Sequence, residues 1–516
     1  MPEKVLKKFN SYVLPQWKVC FWSGIVVGLL AHLYKIINWL PNWDSLVFRY
    51  DSQNMIALGR WFLPVVCSFS SFYDLPFLNG IIAIFFHAVS AVLICRILNV
   101  QKKMTAILIG AAIVSFPTVT SVMMYNYVAD GYSIAFFLST FAAWLMTKEK
   151  PRYIIAAILI ALSTGIYQAY ITVTIMLVLI KLIDKIIYEC APFLTILKNC
   201  SLMLLTGIAG VALYGIILKV LLSVSSMKLL DYQGINTSAS LSNIDLLGSL
   251  YVIKETFVRC FFDISEGVNT YVILNFLVVA ITLAHYVKYI IKNQLYKKPL
   301  NILSVVFLSV MLLVGAGALA FVNAGIDYHN LMLMGYAVFY LFFLILYERG
   351  SEKNEKHARI KCWIILLVSV LIVSNQIVIS NVSYHKAQIA YEKSYGVLIR
   401  IADRIEQTEG AEICDKILVL GALDNSEAYS VNLTPDITGI TDGYIIRADD
   451  ETVGQSVLCS ALNDYCQKDY DFVSGKEKQK LADRDDVKSM GVWPAKDCIA
   501  VIDDTIVIKF SLEGEK

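Results

Sequence analysis

The chain has 516 residues, 57% of them hydrophobic and 17% charged, with a formal net charge of +2 and a mean hydropathy of +0.62. A soluble protein of this size is excluded by that composition, which fits a polytopic membrane protein. A charge near zero with no basic tail gives nucleic acid nothing to bind, so no nucleic-acid partner is expected.

Lys4, Lys7 and Lys8 precede the first apolar run, near 19–40. The run has span length and no small-residue cleavage pattern, so it reads as a retained helix rather than a signal peptide. Further span-length runs lie near 77–98, 104–124, 131–147, 200–222, 268–291, 300–322, 331–347 and 362–383. Between 153 and 187 one run is too long for a single helix and too short for two full spans. Ser163, Thr164 and Gly165 interrupt it, which predicts a short helix, a turn there and a longer returning helix. The total is about eleven helices.

Basic residues separate the loops into two sets. Lys102–Lys103, Lys148/Lys150/Arg152, Lys181/Lys185/Lys198, Lys292/Lys297/Lys298 and Arg349 to Lys361 mark cytoplasmic turns. The alternate loops carry few basic residues. This places the N-terminus inside the cell and the C-terminus outside, in a multi-pass membrane protein. In the 223–267 loop, NIDLLGSLYVIKETFVRCFF has apolar residues at helical spacing with Lys254, Glu255 and Arg259 among them. It predicts an amphipathic helix, either on the outer membrane surface or packed over the bundle.

From about 384 the composition is that of a soluble domain. A helix ending at Gly410, a buried strand in KILVLGAL (416–423) and a hairpin around Asp503–Asp504 predict a small extracytoplasmic α/β domain over 384–516. The membrane domain is expected over 1–383. Cys414, Cys459, Cys466 and Cys498 are even in number, which permits disulfides outside the cell. NLT at 432–434 matches a glycosylation sequon. No CxxC pair, P-loop or GxGxxG occurs, so a structural zinc site and ATP use are not expected.

The candidate chemistry sits in the outer loops. The first, PNWDSLVFRYDSQNMIALGRWFLP (41–64), mixes Asp44, Arg49, Asp51 and Arg60 with Trp43, Tyr50 and Trp61. Aromatic faces suit sugar rings, guanidinium suits phosphate, and a carboxylate can take a proton from an attacking hydroxyl. The alternative is an interfacial loop whose aromatic residues sit at headgroup depth. YNYVADGY (125–132) offers Asp130, either a second carboxylate or a cap for the following helix. Tyr167 and Gln168 follow the STG break, where polar groups line cavities or satisfy freed backbone. AGIDYHN contributes Asp327 and His329, too few ligands to assign a metal, so no cofactor is assigned and a divalent cation stays open.

DSQNMIALGRWFLP, STGIYQAYITV and the terminal GVWPAKDCIAVIDDTIVIKF resemble, in that order, the bacterial type II glucosyltransferase (Gtr) family, which includes serotype-converting O-antigen enzymes. The resemblance implies a mainly α, GT-C-like polytopic bundle. It also implies transfer of a sugar, commonly glucose, from a polyprenyl-phosphate donor to a glycan acceptor on the outer face of the bilayer. Under it Asp44 or Asp51 is the general base, with Asp44 preferred for its place soon after the first helix. Arg60 and Arg259 are phosphate ligands. Trp43, Tyr50, Trp61, Asp130, Tyr167, Gln168 and His329 are substrate contacts. The family leads one to expect a late outer-loop basic residue, and here only His329 stands there. A transporter or lipid-linked sugar flippase is the rival class. It predicts charges at mid-membrane and symmetric halves, whereas this chain keeps its acids in the outer loops and shows no repeat.

Overall fold

The computed structural model describes residues 3–4, 12–47, 55–71, 73–230, 245–264, 269–322, 325, 328–349, 356–421, 451–466 and 468–510. In chain order the helices are α1 (Pro15–Ile37), α2 (Trp43–Val47), α3 (Leu63–Cys67), α4 (Pro76–Ile97), α5 (Lys103–Ser115), α6 (Pro117–Met124), α7 (Asn126–Thr147), α8 (Tyr153–Ile166), α9 (Ile171–Ile187), α10 (Phe193–Val224), α11 (Leu246–Phe262), α12 (Thr270–Lys292), α13 (Pro299–Ala316), α14 (Val338–Glu348) and α15 (Lys356–Glu406). The remaining helices are α16 (Glu451–Cys466), α17 (Gly475–Ala482) and α18 (Asp485–Ser489). Among the described residues eight helices are long and apolar enough to cross a membrane, or nine if the bent pair α5–α6 is one span. The protein is therefore a mainly α, polytopic chain with a four-stranded sheet near its C-terminus.

The chain forms two compact units. The first comprises residues 1–37, 52–123 and 127–381. In it α1 lies along α4 and α5 at close range. A Cβ on Gly24 would stand 2.9 Å from Ala88 Cβ, and one on Gly110 would overlap the carbonyl oxygen of Cys20. Small residues at such crossings let backbones approach where lipid supplies no hydrophobic drive. The 41° bend between α5 and α6 falls at Phe116, because Pro117 pushes the residue before it out of helical ψ; Phe116 has ψ 136°.

The interruption after α8 differs in place from the expected one. Ser163, Thr164 and Gly165 are helical, and the chain becomes extended at Tyr167 (φ −155°, ψ 120°) before a 3₁₀ turn over Gln168–Tyr170. The small residues serve packing instead of turning. Ser163 Oγ donates to Ala135 O at 2.8 Å, and Gly165 leaves room for the Trp61 ring. The helix before the break packs along α10 and the one after it along α13. The predicted amphipathic helix is α11, started by Asp245, whose Oδ1 accepts from Gly248 N at 2.9 Å.

The second unit comprises residues 38–51, 124–126 and 382–516. Its strands are β1 (Lys416–Leu420), β2 (Asp471–Phe472), β3 (Ile499–Ile502) and β4 (Thr505–Lys509), in the order β2-β1-β4-β3. β1 is parallel to β2 and β4, and β3–β4 is the predicted hairpin, with Asp503 at φ +55°. Alternation sends Ile417, Val419, Ile506 and Ile508 to one face, against α16 and the end of α15. Leu418, Leu420 and Val507 go to the other, against Leu481 and Val487. Both faces are covered, which is why β1 and β4 read as unbroken apolar runs. Leu46 of α2 belongs to the first of these cores, and Trp39 stacks on Tyr465 at 5.7 Å. The four cysteines of this region are free thiols, so the disulfides their number permits are not formed. Burial, and then the Asp471 carboxylate, push the Cys459 thiol up to about 11. The sequon at 432–434 lies outside the described residues.

Candidate active site

Three interruptions of regular helix meet inside the first unit: the turn over Met55–Phe62, the break at Tyr167–Tyr170, and the 3₁₀ segment Asn330–Ala337. The last packs on the second, so closely that a Cβ on Gly335 would stand 2.7 Å from Thr172 Oγ1. Non-helical backbone at membrane depth persists only where protein satisfies its polar groups, and here side chains do so. Gln168 Nε2 donates to Leu58 O at 3.3 Å and to Tyr214 Oη at 3.1 Å. Tyr214 Oη donates in turn to Gly59 O at 3.1 Å. Phe62 N donates to Gly165 O at 2.8 Å. Gly59, at φ +75°, sits under this clasp, and a Cβ there would stand 2.6 Å from Tyr214 Oη and 2.8 Å from Gln168 Nε2.

The clasped turn presents Arg60. Its Nη1 donates to Tyr132 Oη at 3.3 Å, and its guanidinium lies over the Tyr167 ring at 5.1 Å. Tyr132 and Tyr167 stack with centroids 4.6 Å apart. The Tyr167 ring and the Tyr132 hydroxyl thus both hold the guanidinium. Trp61 packs on Gly165, where a Cβ would stand 2.6 Å from its ring, and its Nε1 is buried without a hydrogen-bond partner among the described residues.

Asp130 does not cap a helix, because α7 begins four residues earlier at Asn126. Its Oδ1 accepts from Gly131 N at 2.9 Å and from Cys67 Sγ at 3.7 Å. Its Oδ2 is buried without a partner among the described residues. Tyr132, two residues on, carries the contact to Arg60. Arg60, Trp61, Tyr167 and Gln168 are therefore assembled around one turn, with Asp130 on the helix that supplies Tyr132. The Gln168 Nε2 is engaged by Leu58 O and Tyr214 Oη.

Arg259 and His329 form a second pair. Arg259 of α11 donates through Nη2 to Tyr328 O, and His329 caps the 3₁₀ segment, its Nδ1 accepting from Leu331 N at 3.3 Å. Beside them runs a groove of about 660 Å³ between α11, α12, α13 and α14, lined by Phe257, Phe261, Val279, Leu312 and Phe339. Among its few polar groups, Asn275 donates to Phe261 O at 2.9 Å and accepts from Tyr340 Oη at 2.8 Å, while Thr282 Oγ1 is buried without a partner among the described residues. The groove is mainly apolar.

Asp44 is half-buried in α2 and belongs to the second unit. Asn42 starts that helix, its Oδ1 accepting from Ser45 N at 2.9 Å. Asp51 and Tyr50, and the side chain of Trp43, lie outside the described residues. Tyr214 was not singled out from the sequence; a lone tyrosine in an otherwise aliphatic stretch of α10 is the signal that marks it, since a buried phenol seeks a partner. Among the described residues no group of three metal-binding side chains occurs.

Residues 33–346 match the model of the family described as glucosyl transferase GtrII. The chain belongs to this family. Comparison with curated proteins and with solved structures gave no match. Membership bears out the resemblance read from the sequence, and every candidate residue named above lies within the matched span. The GtrII chain is accordingly a glycosyltransferase, with a sugar donor, a glycan acceptor and helices suited to a membrane.

Proposed function

We propose that this GtrII protein transfers a hexose, glucose by its family, from a polyprenyl-phosphate donor to a surface or lipid-linked glycan at the outer face of the inner membrane. The observation that carries the reading is Arg60, a guanidinium held on stacked tyrosines by a turn that Tyr214 and Gln168 clasp. The apolar groove suits a polyprenyl tail. The division of basic and non-basic loops supports an N-terminus in the cytoplasm and an extracytoplasmic domain over 384–516.

In the proposed reaction the acceptor hydroxyl gives its proton to a carboxylate, Asp44 or Asp51, with Asp44 preferred. The oxygen attacks the anomeric carbon, the bond from that carbon to the phosphate oxygen breaks, and polyprenyl phosphate leaves with both bonding electrons against Arg60. Arg259 and His329 are further contacts for the phosphate. Trp43, Tyr50, Trp61, Tyr167 and Gln168 shape the sugar site, and Asp130 is its second carboxylate. Direct displacement inverts the anomeric centre.

The test is sugar transfer by purified protein in lipid, offered polyprenyl-phosphate glucose and surface glycan, with Asp44→Asn and Asp51→Asn beside the unaltered chain. One folded but inactive variant names the base. Full activity in both removes the first outer loop from the chemistry. Retention of anomeric configuration overturns the displacement. No transfer from any polyprenyl-phosphate sugar, with solute uptake into proteoliposomes, moves the protein to the transporter class.

A further inference from the structure

A second cavity of about 660 Å³ lies at the other end of α7, where the ends of α4, α7 and α9 meet the start of α1. Tyr132 and Trp144 both belong to α7 and are twelve residues apart, which separates the two regions by about 18 Å along the helix axis. Five cations line the cavity, Arg96, Lys148, Lys150, Lys181 and Lys185, against two carboxylates, Glu149 and Glu189. Its floor is built rather than loose. Buried Asp184 holds Arg349 at 2.9 Å and Lys181 at 3.5 Å. Glu348 accepts from Gln101 N at 2.9 Å, and Arg349 Nη2 donates to Leu98 O at 3.2 Å.

The informative residue is Arg96. Its guanidinium lies over the Trp17 ring at 4.7 Å and the Trp144 ring at 4.3 Å. Among the described residues neither a carboxylate nor a carbonyl accepts from it. Stacking occupies the faces of a guanidinium and leaves its in-plane N–H donors available, the geometry that suits a phosphate fork. Lys148 stands over the same Trp144 ring at 5.0 Å. Partial desolvation, and then the like charges of Arg152 and Arg96, hold its ammonium below the ordinary value. Helix carbonyl ends also face this cavity and take up part of the lysine charge. That is why Arg96, and not the number of lysines, decides the matter.

We propose that this cavity is a binding site for a phosphate-bearing anion at the membrane surface, chemically the phosphodiester of an anionic phospholipid, gripped by Arg96 and flanked by Lys148 and Lys150. The site is separate from the transfer chemistry around Arg60. Basic cavities between helix ends on the lysine-rich side of a membrane protein suit such headgroups.

The test is native mass spectrometry of full-length protein, delipidated in detergent and titrated with phosphatidylglycerol or with phosphatidylcholine of the same chains. A preference for phosphatidylglycerol at one site is expected. It should fall roughly five-fold per lysine removed, so on the order of 25-fold in Lys148→Gln/Lys150→Gln, and vanish in Arg96→Gln. Both lysines lie just beyond the end of α7, so the double variant keeps the test valid if Arg96→Gln does not fold. Inorganic phosphate at millimolar concentration supplies the second arm. Competition by it assigns a soluble phosphate-bearing anion to the site; its failure to compete assigns the lipid headgroup. Equal binding of the two lipids without any effect of phosphate overturns the proposal. A preference undiminished in folded variants overturns it as well.

Discussion

Gly59→Ala tests whether the clasp positions Arg60. The residue has φ +75°, and an L-residue in that region costs about 1–2 kcal/mol. The added Cβ would also stand 2.6 Å from Tyr214 Oη and 2.8 Å from Gln168 Nε2. Neither atom can withdraw freely. Tyr214 is bonded to Gly59 O and Gln168 to Leu58 O and Tyr214, and each such bond contributes about 1 kcal/mol. The turn therefore loses roughly 2–5 kcal/mol or moves. If it moves, Arg60, the next residue, moves with it, and a displacement of about 1 Å costs on the order of 100-fold in rate. The assay is glucosyl transfer under saturating donor, with thermal unfolding of the same preparation in detergent. Tyr214→Phe alone removes the clasping hydroxyl without the φ penalty, so it should also lower the rate, with a smaller loss of Tm. Unchanged kcat beside a lowered Tm would refute the positioning role and leave the turn purely structural.

Arg60→Lys keeps the charge and gives up the fork and the stacked face, so transfer should fall at least about ten-fold with little change in Tm; a variant as active as the unaltered chain removes Arg60 from phosphate binding. Asp184→Leu leaves Arg349 and Lys181 facing each other without their shared carboxylate. Arg349 is partly exposed, so the loss should lie near the lower end of about 3–5 kcal/mol, read as a drop in Tm; an unchanged Tm shows that water already screens the group. In the second unit the hydrogen bond from Arg484 holds Asp486, and the charge of Lys416 holds Asp504, below the ordinary carboxylate value. A carboxyl held low stabilises the fold above its unfolded pKa, and that stabilisation is lost as pH falls through the lowered value. Protection of β1 and β4 amides from hydrogen exchange, corrected for intrinsic rates, should therefore weaken between about pH 4 and pH 2; constant protection would show these exposed pairs to be idle.

The long apolar runs were legible because span length and loop charge are coarse signals that side-chain detail does not disturb. The β3–β4 hairpin was legible for a different reason: two apolar runs flank an Asp-Asp pair, and Asp tolerates the left-handed turn that Asp503 adopts. The break after α8 was misplaced because Ser and Gly have two meanings in a membrane helix. They can end it, or they can admit a neighbour. Here Ser163 bonds Ala135 and Gly165 admits Trp61, and only the partner reveals which meaning applies. α16 to α18 and the two-residue β2 were missed because their patterns are short and interrupted by charge. That Leu46 enters the core of the second unit is not written in any local period, since it depends on a contact hundreds of residues away. Within the candidate site Arg60 and Gln168 were legible as polar residues in apolar surroundings, whereas their shared tie to Tyr214 was not.

Both regions of the first unit hold a guanidinium against aromatic rings. A guanidinium near lipid must be kept from pairing with the nearest carboxylate, or it has nothing left for a phosphate. Arg60 is held on Tyr167 with one edge on Tyr132; Arg96 is held on Trp17 and Trp144. Aromatic faces remove water from the flat of the group without consuming its donors, so charge is retained and direction is set. Arg349 shows the opposite arrangement, with its donors spent on Asp184 and on Leu98 O, and it works as a brace. Between Arg96 and Arg349 the difference lies in what meets the edge of the guanidinium. That gives a rule that mutation can check: Arg60→Gln and Arg96→Gln should impair anion binding with modest change in Tm, whereas Arg349→Gln should lower Tm first.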